Sequence, residues 1–143
     1  MKRSVLVVDD SRVTREFITE AIEGLADDGS LEVEVVQSSS GFEAVRLLPG
    51  RRFDLVVTDI NMPDLHGLEL LRILKQAHGA GLPVVLVSSE ASARDIERGL
   101  SLGAVEYLTK PFTPEQIQTI VRRLLVADAE VGGSTGAPQE PAE

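Results

Sequence analysis

Four short apolar segments of this chain run straight into residues that can do chemistry. Val5-Leu6-Val7-Val8 leads into Asp9 and Asp10, and Leu55-Val56-Val57 into Thr58, Asp59, Ile60 and Asn61. Val84-Val85-Leu86-Val87 leads into Ser88, Ser89 and Glu90, and the segment Val105–Leu108 into Thr109, Lys110 and Pro111. Taken singly these are ordinary: two acids after a strand make a turn and a helix N-cap, and a lysine before proline is a solvated linker. Taken together they are three carboxylates, a hydroxyl and an ammonium. Carboxylates that converge repel one another and hold protons more tightly unless a cation neutralises them. A hard divalent ion does so, and Mg²⁺ favours one or two carboxylates, water and the oxygens of a phosphate-like substrate. Phosphoryl transfer needs the same parts, namely a nucleophile, a metal on the phosphoryl oxygens and further donors. A carboxylate nucleophile gives an aspartyl phosphate. Asp59 suits that role, being on the central strand and apart from the adjacent pair. Asp9 and Asp10 would then hold Mg²⁺, with the Asn61 carbonyl adding an oxygen. Lys110 and Ser88 would meet the phosphoryl oxygens.

The elements that must position these groups follow from apolar patterning. Ser4–Val8, Val33–Gln37, Leu55–Ile60, Val84–Val87 and Val105–Leu108 read as strands, several without alternation, as in a sheet covered on both faces. Between them lie stretches with helical spacing. Val13, Phe17, Ala21, Ile22 and Leu25 make one stripe, on a helix ending at Gly24. Ser40 with Glu43 starts a second as a capping box, carrying Phe42, Val45 and Leu48 inward and stopping near Pro49-Gly50. Leu68, Leu71, Ile73 and Leu74 mark a third, closed by Gly79 or Gly81. A fourth, over 91–102, has only Ile96 and Leu100 as anchors. In the fifth, Thr113 is the N-cap, Pro114 stands at N1 and Gln116 at N3, and Ile117, Ile120, Val121, Leu124 and Leu125 form the buried face. Strands alternating with helices imply an open parallel α/β sheet, whose ligands bind beyond the carboxyl ends of the strands.

Composition narrows the function. The 143 residues suit one domain, and 14 Lys and Arg against 23 Asp and Glu leave a net charge of −9. That sign argues against nucleic-acid binding, which relies on cations at phosphates. Four phenylalanines and one tyrosine are too few for a base-stacking platform. With no cysteine, thiol chemistry and disulfides are excluded. The apolar run ending at Val8 is too short for a signal peptide, and no stretch approaches a membrane span. A cytoplasmic protein without membrane contact is expected. A single folded domain is expected over 1–126, followed by a disordered acidic Gly/Pro-rich tail over 127–143.

The matching segments Val7-Val8-Asp9-Asp10-Ser11, Asp54 through Pro63, Gly67-Leu68-Glu69-Leu70, Leu82-Pro83-Val84-Val85 and Gly103 through Phe112 carry a family likeness. Over nearly all of Lys2–Leu125, the sequence resembles the receiver domain of two-component response regulators in its single-domain, CheY-like form. The resemblance implies a flavodoxin-like (βα)5 fold, doubly wound, with five parallel strands in the order 2-1-3-4-5. It implies that Asp59 accepts a phosphoryl group from a sensor histidine kinase or phosphotransfer protein. Asp9, Asp10, Asp59 and Asn61 would form the Mg²⁺ site, with Ser88 and Lys110 binding phosphoryl oxygens and the Lys110-Pro111 bond cis. Tyr107 stands at the family's switch aromatic, so Ser88 and Tyr107 would reshape the face of the fourth helix, fifth strand and fifth helix. Asn61 and Glu90 occupy the positions that tune dephosphorylation. Ser89 departs from the small residue common there, which bears on phosphoryl entry and loss. His66 and His78 read as solvated. An unidentified downstream protein is the implied partner, to a monomer or a weak phosphorylation-dependent dimer. The chain is expected to catalyse nothing beyond its own phosphorylation and dephosphorylation. A haloacid dehalogenase-type phosphohydrolase would want a second Asp where this chain has Asn61.

Overall fold

A computed structural model describes residues 2–27, 29, 31–78, 81–89 and 93–133, with the side chains of residues 78, 93 and 127–133 excepted. The chain alternates β1 (Lys2–Val8), α1 (Arg12–Glu23), a 3₁₀ turn (Gly24–Ala26), β2 (Glu32–Ser38), α2 (Gly41–Leu47), β3 (Leu55–Asp59), α3 (Gly67–His78), β4 (Val84–Ser88), α4 (Ala93–Ser101), β5 (Glu106–Thr109) and α5 (Pro114–Gly133). All strand pairs are parallel, in the order β2-β1-β3-β4-β5. The flavodoxin-like fold expected from the sequence is the one observed.

The continuous apolar runs have the predicted cause. Val5 and Val7, Leu55 and Val57, and Val85 and Val87 pack with Ile18, Ala21 and Ile22 of α1 and with Ile117, Val121 and Leu125 of α5. Leu6 and Val8, Val56, and Val84 and Leu86 pack on the opposite face with α2 and α3. A side-chain period of two feeds both faces, so each must be apolar. Burying one such side chain stabilises by about 1.5–3 kcal/mol relative to leaving it in water.

Caps fix where the helices start. Ser40 Oγ accepts from the Glu43 N–H at 3.1 Å, while Glu43 accepts from the Ser39 N–H at 2.8 Å. Asp64, from the loop after β3, reaches back to the N–H groups of Gly41 and Phe42. These donors hold its carboxyl below the usual range. Thr113 and Gln116 exchange the two bonds of a capping box at 2.8 and 3.1 Å, as their spacing predicts. His66 is exposed but not merely solvated. Its Nδ1 accepts from the Leu68 N–H at 3.2 Å and caps α3.

Several inward assignments are corrected. Val13 is 79% exposed, Phe17 38% and Phe42 53%. At about 100° per residue, successive i+4 steps drift by about 40°. Val13 thus lies about 140° from Ile18 and far from the true buried stripe of Ile18, Ala21 and Ile22, which Leu25 of the 3₁₀ turn continues. In α2 the buried residues are Gly41 and Ala44, small residues that carry little hydropathy signal beside Phe42, while Leu48 at its C-cap is buried as expected. Leu100 of α4 is also exposed, and among the described side chains of that helix Gly99 is the buried one, against Leu86. The boundary expected at 126 falls inside α5, which continues to Gly133. Ala127, Asp128, Ala129 and Glu130 include good helix formers, so the helix propagates past its buried face. The rest of the expected tail, 134–143, lies outside the described residues, as do Glu90 and the start of the expected fourth helix.

Candidate functional site

The site stands where the strand order reverses, between β1 and β3, at the carboxyl edge of the sheet. Register sets its geometry. Val8 pairs with Thr58, which brings Asp9 and Asp59 level at adjacent strand ends. Asp9 continues the parity of Val5 and Val7, and Asp59 that of Leu55 and Val57, so both start from the face covered by α1 and α5. Ser88 continues Val84 and Leu86 and belongs to the other face, as does Tyr107, which pairs with Leu86. The carboxylates and the hydroxyl therefore approach the rim from opposite sides.

Three of the expected residues meet closely. One carboxylate oxygen from each of Asp9, Asp10 and Asp59 lies within 4.8 Å of the other two. Asp9 is fully buried and Asp59 is 5% exposed, while Asp10 is open to solvent. Lys110 Nζ lies 3.2 Å from Asp9 and 3.6 Å from Asp59. The Lys110-Pro111 bond is cis, as expected. Burial first, and then the charge of Asp9, push the Asp59 carboxyl above the usual carboxylate range. Lys110 and the Asn61 N–H oppose that shift, and Asp10 adds to it. Three carboxylates and one ammonium leave two negative charges, held by oxygen donors alone. That donor set fits a hard divalent cation and has nothing to offer a soft one.

The backbone around this cluster is tightly held. Asp9 Oδ1 accepts from the Ser11 N–H at 2.8 Å, and Arg15 donates to the Asp9 carbonyl at 2.9 Å. Gly67 donates to the Ile60 carbonyl at 2.7 Å, and a Cβ placed on it would press on the Asp59 carbonyl oxygen and come within 2.5 Å of Ile60 Cα. Only glycine permits that approach.

The switch pair is adjacent. Ser88 is fully buried, and its hydroxyl accepts from Asn61 Nδ2 at 3.0 Å. The Tyr107 hydroxyl is buried with no hydrogen-bond partner. Burial pushes its phenol above the ordinary value; Ser88 is near enough to oppose this, though no bond of ordinary geometry forms.

An apolar surface that the sequence pattern does not single out borders the rim. Val13 and Phe17 of α1 and Phe112 beyond β5 line a depression of about 460 Å³ that also touches Ser89 and Lys110. The Phe17 and Phe112 rings lie 5.8 Å apart, tilted by 56°. The angular drift along α1 was the available signal. Among the described residues no helix is long and apolar enough to cross a membrane.

Comparison with known proteins agrees with this geometry. The family profile described as response regulator receiver domain matches residues 5–122. A response regulator MprA of Mycobacterium sp. (strain KMS) is 37% identical over 121 residues, covering 85% of this chain and 50% of the relative. A probable transcriptional regulatory protein of Picosynechococcus sp. is 35% identical over 131 residues, covering 87% of this chain and 49% of its own length. The chain thus spans about half the length of these curated relatives. Among solved structures, the chemotaxis response regulator CheY4 of Vibrio cholerae superposes with a TM-score of 0.72 at 30% identity, covering 87% of this chain and 99% of that one. The receiver domain of the Francisella response regulator 1452 gives a TM-score of 0.75 at 31% identity, with coverages of 87% and 98%.

Proposed function

Because this chain belongs to the response regulator receiver domain family, we propose that Asp59 is its phosphoacceptor, and that the site around it drives a two-state change read by a protein partner. The observation that carries this is the meeting of Asp9, Asp10 and Asp59 within 4.8 Å, beside Lys110 at 3.2 and 3.6 Å. Asp9, Asp10, Asp59 and the Asn61 carbonyl would hold Mg²⁺. When bound, it supplies the positive charge that gathers phosphoryl oxygens.

The chain's own residues do the rest. An Asp59 oxygen attacks the phosphorus of a phosphohistidine on a sensor kinase or phosphotransfer protein. The new O–P bond forms as the P–N bond breaks, and the electron pair returns to the imidazole nitrogen of the donor. Lys110 turns from the bare carboxylates to a phosphoryl oxygen, replacing one charge-assisted contact by another. Ser88 donates its proton to a second oxygen. The hydrophobic depression at Val13, Phe17 and Phe112 seats the donor protein, because it adjoins Lys110 and exposes the Phe17 ring, an aromatic side chain of the kind interfaces favour.

Phosphorylation then biases the chain toward the arrangement in which Ser88 serves the phosphoryl group and Tyr107 is turned in. That reshapes the face of α4, β5 and α5, where Leu100 and Val105 are exposed. A downstream protein, or a second copy in a weak dimer, reads this face. Ser89 is exposed at the rim, lining the same depression as Lys110. The domain is a signalling module whose only chemistry is its own phosphorylation and dephosphorylation. The receiver unit ends within α5, and the acidic Gly/Pro-rich segment beyond it lies outside that unit.

The test is incubation with Mg²⁺ and acetyl phosphate, followed by intact mass, with Asp59→Asn alongside. A phosphate-mass adduct on the wild type alone is the expected result. No adduct, or equal adducts on both proteins, overturns the proposal.

A further inference from the structure

We propose that Asn61 is a positioning residue that sets the Ser88 hydroxyl for the phosphoryl group; the inference rests on Asp59 as phosphoacceptor. Asn61 touches both partners of the reaction coordinate. Two residues beyond Asp59, its backbone N–H lies near enough to favour the ionised Asp59 carboxylate, and its side-chain amide donates to Ser88 Oγ at 3.0 Å across 27 residues. A serine hydroxyl has one proton and two lone pairs. With one lone pair taken by the Asn61 amide, the proton is confined to the remaining directions. Ser88 is fully buried, so no bulk water competes for it. A phosphoryl group is rich in acceptor oxygens, and what it needs from Ser88 is that proton. The Asn61 bond therefore does not compete with phosphoryl binding. It readies the hydroxyl to donate. It also keeps Ser88 from turning to the Tyr107 hydroxyl, which is buried without a partner behind it.

The same contact links the acceptor loop after β3 to the end of β4. Movement of Asp59 on phosphorylation is passed to Ser88 through one side chain, and Tyr107 answers on the next strand.

The chain has one tyrosine and no tryptophan, so its tyrosine fluorescence reports on Tyr107 alone. Wild type, Asn61→Ala, Ser88→Ala and the double variant are titrated with beryllofluoride in saturating Mg²⁺, following that signal. Mg²⁺ affinity is measured on each, since both substitutions leave the Asn61 carbonyl in place. Asn61→Ala is expected to weaken beryllofluoride by about 2- to 12-fold, the worth of one hydrogen bond. The double variant should then bind no more weakly than Ser88→Ala alone. An Asn61→Ala effect that persists undiminished without Ser88, or no effect at all, overturns the proposal. If Ser88→Ala binds too weakly to titrate, thermal unfolding of the same four proteins without beryllofluoride decides. A midpoint loss from Asn61→Ala that vanishes in the Ser88→Ala background supports the coupling, and strict additivity refutes it. Failure of the underlying reading looks different: the wild type would show no saturable response, or Asp59→Asn would respond equally.

Discussion

β3 and β5 both end at the site, yet they are built differently. β3 is buried along all five residues, Leu55 to Asp59, with a strand on either side. β5 is an edge strand of four residues, none of them buried, paired only with β4. The acceptor proposed at Asp59 therefore sits on the most buried and fully paired part of the sheet, where opening is expected to require most of the fold. The face proposed to be read lies where opening is easiest, at an edge backed by α4, a helix with exposed Leu100. A rigid strand holds the carboxylate against its neighbours. In the proposed switch, a soft edge would let a small change at Ser88 move Tyr107.

The strongest way to break this contrast is to disturb β3 without touching its chemistry. In Gly67→Ala the new methyl collides with the backbone of Asp59 and Ile60, which is buried on both sides and has nowhere to move. Overpacking of a well-filled core costs about 1–3 kcal/mol, and a backbone clash belongs at the upper end. A melting midpoint lower by about 10 °C is expected, together with slower adduct formation from acetyl phosphate. A midpoint within a degree of wild type would show that the β3 edge yields as readily as β5.

Asp59→Asn separates chemistry from stability on the same strand. It removes the acceptor, so the adduct disappears, but the protein should melt higher by a few degrees at neutral pH. The sign follows from the raised carboxyl. The folded state holds the Asp59 proton more tightly than the unfolded chain, so the ionised form opposes folding at neutral pH. Wild-type stability from this group is regained as pH falls through the folded value toward the ordinary carboxylate range. The gap between the two proteins should therefore be widest near neutrality and close on acidification. Added Mg²⁺ should stabilise the wild type and narrow the gap from the other side. A variant that melts lower at pH 7 would contradict the charge argument.

How much of this was legible in the sequence depends on the kind of signal. Strand ends were legible because buried parallel strands are unbroken apolar runs, and Asp9, Asp59, Ser88 and Lys110 sit where those runs stop. Their meeting followed from the resemblance and from topology, and register then brought Asp9 level with Asp59. Helix faces were less legible. Bulky Val13, Phe17 and Phe42 drew the stripe toward themselves, whereas Gly41 and Ala44 do the packing and carry almost no hydropathy. The cap from His66 and the reach of Asp64 to α2 depend on loop paths that no periodicity encodes. The Asn61 amide on Ser88 joins residues 27 apart and belongs to the same class.

The misassigned residues offer a smaller test, which sharpens the contrast by adding a third surface. Phe17→Ala removes an exposed ring and its contact with Phe112, so the melting midpoint should move by no more than a few degrees. Phosphorylation by acetyl phosphate should be unchanged, because Phe17 lies outside the acid cluster. Transfer from a phosphohistidine-bearing protein should slow by about tenfold through weaker docking, appearing in KM more than in kcat. Equal losses with both donors would place Phe17 in the chemistry instead.

The smallest effect belongs to β5. Tyr107→Phe keeps the ring and deletes a buried hydroxyl that has no partner. An unsatisfied buried polar group costs about 1–3 kcal/mol. Tyr107 is itself only partly buried, so a rise in the melting midpoint of a few degrees or less is expected. Phosphorylation of Asp59 should proceed as before, since the hydroxyl bonds none of the site residues. What should change is the balance of the switch: without the hydroxyl, the inward ring no longer leaves a polar group unpaired. Hydrogen exchange separates the two strands directly. In Tyr107→Phe the β5 amides should become better protected, whereas those of β3, already limited by global unfolding, should change only with the midpoint. Equal changes in both strands would mean that the edge and the centre open together, and that the site and its readout are one cooperative unit.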